Sequence, residues 1–143
     1  MTSKIYTNEN ITISSLLDTY REASIDVFRA STDPDVTEMF AIKEFNVPVR
    51  VHLHANKEYI TLVFIYETSN LINDEQKLRI INQINEECLL IRAYMNEDSA
   101  VLIQTDICLV GGIAESNIIS TTNLFCMTIS NIFNDERTGL LFA

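Results

Sequence analysis

The spacing of apolar residues switches period several times along this chain, and those switches constrain the fold more than any other feature. Ile13, Leu16, Leu17 and Tyr20 recur at i, i+3, i+4 and i+7, which places them on one face of a helix. Thr12 precedes them with a hydroxyl able to accept a free N–H from the first turn, so a helix is expected from Ile13 to Ala23. Its single apolar face requires a surface to lie against. A second helix begins at Asn73, with Gln76 three residues on in a capping-box arrangement. It turns Ile80, Ile81, Ile84 and Cys88 inward and Arg79, Asn82, Gln83 and Glu86 outward. A third runs from about Glu115 to Phe133 on a stripe that includes Ile118, Thr122, Phe125, Cys126, Ile129 and Ile132.

Between the helices the period falls to two. Val49, Val51 and Leu53 alternate with Arg50, His52 and His54, so the two sets face opposite sides of a sheet. Shorter strands are expected at Ile25 to Ala30 and Val36 to Lys43, on either side of a turn cluster from Ser31 to Asp35. Asn56-Lys57 supplies a tight turn, because Asn tolerates positive φ, into Tyr59 to Glu67, a central strand apolar on both faces. Leu89 to Met95 and Ala100 to Leu109 form a second hairpin around Asn96-Glu97-Asp98-Ser99, and Gly111-Gly112 then marks a bend that needs unusual φ angles. The order α-β-β-β-β-α-β-β-α predicts an α+β fold, an antiparallel sheet flanked by helices. With 143 residues, 47% of them hydrophobic, a single domain over residues 1–143 is expected.

Charge narrows the function. Twenty acidic residues against ten basic ones give a net charge of −10, and the Lys and Arg are scattered singly. A phosphate backbone favours clustered cations, so neither autonomous nucleic-acid binding nor attachment to an anionic membrane is expected. The stretch from Met1 to Asn10 lacks a continuous apolar signal region. The longest apolar run, Tyr59 to Tyr66, is broken by Thr61 and falls far short of the ~20 residues of a membrane helix. A cytosolic location follows as the expectation.

The chemistry-bearing residues are few. Cys88, Cys108 and Cys126 are odd in number, form no C-x-x-C pair and sit in apolar segments, so they read as reduced core thiols. His52 and His54 share one strand face and could give two of the four ligands that zinc takes. No Cys or third His lies close in sequence, so they read as a polar face, solvated or covered by a helix, and no metal or cofactor is expected. The chain has no G-x-S-x-G elbow or reactive-cysteine signature, and it is read as non-enzymatic.

The segment from Ile80 to Ile118, IINQINEECLLIRAYMNEDSAVLIQTDICLVGGIAESNI, resembles the YbjN family of bacterial sensory transduction regulators. The resemblance is carried by the N-x-x-N helix at Asn82 and Asn85, the R-x-Y strand at Arg92 and Tyr94, and the acidic turn at Glu97-Asp98. Gly111-Gly112 and the helix after it complete the pattern, and VPVRVHLHA is similar too. It implies a fold like that of class I type III secretion chaperones, small acidic and commonly dimeric proteins that hold another polypeptide extended. The family pattern usually places Ser or Thr after the double glycine; here Ile113-Ala114-Glu115-Ser116 follows, leaving Ser116 as the candidate cap.

The expected function is therefore protein binding, chaperone-like or regulatory, by a homodimer that engages a polypeptide partner. A small-ligand-binding regulatory module on the same fold is the alternative. Leu124 and Met127 lie opposite the inner stripe of the last helix, and Leu140-Leu141-Phe142 forms an apolar end on an acidic chain. These five are the candidate partner-binding residues, since exposed apolar patches often mark association surfaces.

Overall fold

The computed structural model describes residues 4–28 and 39–142. The expected turn from Ser31 to Asp35, and the strand ends next to it, lie outside the described residues. The elements run β1 (Ile5–Tyr6), α1 (Ile13–Glu22), β2 (Asp26–Phe28), β3 (Met39–Glu44), β4 (Val47–Leu53), β5 (Tyr59–Glu67), α2 (Asp74–Glu87), β6 (Arg92–Met95), β7 (Ala100–Cys108), β8 (Ile113–Ala114) and α3 (Glu115–Asn134), then a short 3-10 helix (Gly139–Phe142). The expected core order of four strands, helix, two strands and helix is present. A two-residue ribbon, β1 with β8, is added to it, with Ile5 opposite Ala114 and Tyr6 opposite Ile113.

Six strands form one antiparallel sheet in the order β2-β3-β4-β5-β7-β6. Register fixes its faces. Val51 lies opposite Leu62, and Leu62 opposite Thr105, so Val49, Val51, Leu53, Ile60, Leu62 and Ile103 share one buried face. Helix α3 lies over β4 and β7, α1 stands beside it near β2, and α2 packs beside edge strand β6. Leu16 and Tyr20 of α1 and Ile118, Phe125, Cys126 and Ile129 of α3 fill the layer between. The second face of the sheet is largely open: Phe28, Arg50, Ile65, Tyr94 and Cys108 on it are exposed.

Local chemistry explains the helix starts. The Thr12 hydroxyl accepts from Ser15 N while Ser15 Oγ accepts from Thr12 N, and Asn73 and Gln76 repeat the exchange on α2. At α3 the expectation of a Ser116 cap is corrected. The cap position is Ala114, with no side-chain cap bond, and the Glu115 N–H donates instead to the Lys4 carbonyl at 2.8 Å. The ribbon therefore stands in for the missing cap. Gly111 and Gly112 take φ +87° and +93°, the left-handed conformations that the bend requires. A Cβ on Gly112 would also come within 3.2 Å of Ile5 Cγ2. Buried hydroxyls then tie the layers together. Tyr6 Oη meets Thr19 Oγ1 at 2.7 Å, Thr19 Oγ1 donates to Glu115 Oε2 at 3.0 Å, and Tyr20 Oη meets Thr122 Oγ1 at 2.8 Å.

Cys126 is buried and Cys88 half-buried, but Cys108 is exposed; the reading of all three as core thiols is corrected, because position 108 of β7 points to the open face. Among the described residues, no helix is long and apolar enough to cross a membrane.

Candidate functional site

The chain leaves α2 at Cys88 and does not enter a strand at once. The sequence predicts extended structure from Leu89; instead β6 begins at Arg92, because Leu90 takes φ +64°, a left-handed conformation that breaks an extended run. Leu89 and Leu90 thus protrude, 84% and 70% exposed. The Leu90 carbonyl accepts from Thr105 Oγ1 at 2.6 Å, which pins the protrusion to β7. Leu124 of α3, 47% exposed, lines the same groove of about 390 Å³. Ile84, Cys88, Thr128 and Ile132 lie along it as well. An apolar channel with three exposed leucines on its walls can take apolar side chains from another molecule.

One end of the groove is charged. The Arg137 guanidinium reaches Glu87 Oε1 at 3.3 Å and Asp135 Oδ2 at 3.3 Å. Hydrogen bonds from the Arg137 side chain and backbone hold the Asp135 carboxyl below the usual carboxylate range. Burial, with the Glu87 charge behind it, pushes the Cys88 thiol up, so Cys88 serves this wall as an apolar group.

The five residues singled out from sequence separate. Leu124 lines the groove; Met127, 44% exposed, lies on the same side of α3 but outside it. The apolar end needs correction. Leu140 is 53% exposed, but Leu141 and Phe142 are buried, with Phe142 packed on Phe133 at 4.3 Å between ring centroids. The last turn folds back onto the core, so Leu141 and Phe142 offer no surface to a partner. Leu89 and Leu90 were missed. Their one signal is four successive apolar residues, 88–91, with no polar alternation of the kind a half-exposed strand shows.

The histidines belong to a different arrangement, on the open face. His54 Nε2 lies 2.7 Å from Thr61 Oγ1, which donates to Asp106 Oδ1 at 2.6 Å. A hydroxyl has one proton, so His54 Nε2 is the donor to Thr61. Gln104 Nε2 also donates to Asp106, and Tyr94 Oη donates to Gln104 Oε1 at 2.9 Å. The ring of His52 stands 5.0 Å from that of His54. Among the described residues, no three His, Cys, Asp or Glu side chains gather as a metal site needs. Asn85 supports the fold, since its amide accepts from Ala93 N at 2.7 Å and donates to Ala93 O at 3.0 Å.

Comparison with known proteins places this geometry. A family model, YbjN, described as "Putative bacterial sensory transduction regulator", matches residues 12–135. The structure is similar to the crystal structure of YbjN from E. coli, with TM-score 0.73 at 12% identity over 93% of this chain and 96% of that one. It is similar also to the Yersinia pestis type III secretion chaperone SycH, solved with a fragment of YscM2, with TM-score 0.53 at 14% identity over 83% and 98%. A chain of the HopA1–SchA chaperone–effector complex gives TM-score 0.52 at 11% identity over 84% and 96%. No curated protein matches in sequence.

Proposed function

The chain belongs to the YbjN family, and on that premise we propose that it is a non-catalytic, cytosolic protein-binding domain whose leucine groove receives an apolar stretch of a polypeptide partner. The observation that carries this reading is the pair Leu89 and Leu90, held out at the end of α2 opposite Leu124. Exposing adjacent leucines is unfavourable in water by about 1.5–3 kcal/mol per side chain relative to burial. A strained turn that holds them there makes sense if a partner covers them. The similar chaperone folds SycH and SchA were solved with polypeptide partners, which supports the same use of this fold.

The open-face network supports the non-catalytic part. In a Ser-His-Asp triad the hydroxyl gives its proton to histidine. Here Thr61 gives it to Asp106 and receives one from His54, the reverse of an activated nucleophile. Met127 and Leu140 remain proposed contacts outside the groove, available to a second copy in a homodimer. A small-ligand reading has one observation in its favour, an uncharged groove of about 420 Å³ walled by Phe45, Phe64, Tyr66 and Phe133.

The test is capture of partners from the source cell by the wild type and by a Leu90→Asn, Leu124→Ser variant of matched circular dichroism. The variant is expected to lose the captured polypeptide; equal capture by both would count against the groove.

A further inference from the structure

The groove has polarity, and its electrostatics specify what enters. Helices α2 and α3 both end at the same rim: Glu87 closes α2, Asp135 caps α3, and Arg137 joins them. A helix C-terminus carries roughly half a negative charge, normally offset by Lys, Arg or His in the last turn. Neither helix has a basic residue there. Two carboxylates and two helix ends thus share one guanidinium, and Glu86 and Glu136, next to Glu87 and Asp135 in sequence, are exposed. The other end, between Leu89, Leu90, Thr121, Leu124 and Phe125, bears no charge.

We infer that the groove selects a basic-ended apolar segment: aliphatic side chains against Leu89, Leu90 and Leu124, and Lys or Arg directly after them, at the converging ends of α2 and α3. The inference rests on the groove being a polypeptide site. A second copy of this chain is a poor occupant, because at net charge −10 it would bring acidic surface to an acidic rim. The fit is to a different protein whose sequence carries cations next to its apolar run.

The test uses two fluorescent synthetic peptides that share one Leu/Ile stripe and end in three Lys or in three Glu. Fluorescence anisotropy is read at low and at high salt. The account predicts that the Lys-ended peptide binds at least about tenfold more tightly than its counterpart, and that this preference collapses as salt shortens the screening length. Glu86→Lys with Glu136→Lys, both at exposed positions, is expected to abolish the preference while keeping the fold. Leu90→Asn with Leu124→Ser is expected to abolish binding of both peptides. Equal binding of the two peptides, or a preference untouched by the charge reversal, overturns this inference and leaves the groove as a polypeptide site. Binding of neither peptide overturns the groove reading as well.

Discussion

Leu90 holds φ +64°, a conformation that costs an L-residue roughly 1–2 kcal/mol and that Asn adopts more readily. Function and stability therefore separate at this position. Leu90→Asn is expected to leave the chemical-denaturation midpoint unchanged or to raise stability by up to about 1 kcal/mol, while partner binding falls. A variant that lost stability and binding together would assign Leu90 to the core instead. The cysteines give a second residue-scale prediction. Burial, with the Glu44 charge adding to it, pushes the Cys126 thiol from 9.0 up to about 12. The folded state keeps a proton that the unfolded state releases, so its contribution is complete below about pH 9 and is lost as pH rises towards 12. The thermal midpoint should decline across that interval, and buried Tyr20, raised in the same direction by burial, extends the decline. At pH 8, iodoacetamide mapping should label exposed Cys108 first and reach Cys126 only after unfolding. These positions also show what sequence can convey about single residues. Thr12 and Asn73 were legible because a cap depends on residues three apart. Cys108 was not, because which face of β7 is covered is decided by where α1 and α3 pack, which the residues of β7 do not themselves encode.

Among the elements, β6 shows how an edge is managed. It is the last strand of the sheet, and Ala93 would turn a free N–H and carbonyl outward; the Asn85 amide satisfies both, as a neighbouring strand would. Asn85→Leu leaves both groups without this partner. It should cost about 1–3 kcal/mol in urea unfolding and bring concentration-dependent association beyond the proposed dimer. A variant of native stability that kept the wild-type mass would show that the edge needs no cover. The same strand marks the limit of periodicity. Six strands and three helices were readable, each from a repeated period or from turn residues that bound an apolar run. The β1–β8 ribbon spans two residues a side and has no period to detect. The Leu89 to Ile91 run is apolar throughout, so only the backbone angle at Leu90 shows that it is not strand; the candidate groove was half legible, through Leu124 alone.

At the scale of the whole molecule, one face of the sheet is packed under α1 and α3, while Leu89 and Leu90, just past the end of α2, share a groove with Leu124 in the middle of α3. The proposed homodimer should elute at twice the 16.3 kDa monomer mass at micromolar concentration, and a mass of one chain there would remove that part of the account. The central claim concerns the groove and can be tested in place. A photo-crosslinking side chain replacing Leu124 is compared, in the source cell, with the same group replacing Asn82, exposed on the polar side of α2. The account predicts a discrete crosslinked polypeptide from position 124 and none from position 82. Indistinguishable crosslinks from the two positions, or none from position 124, would contradict it.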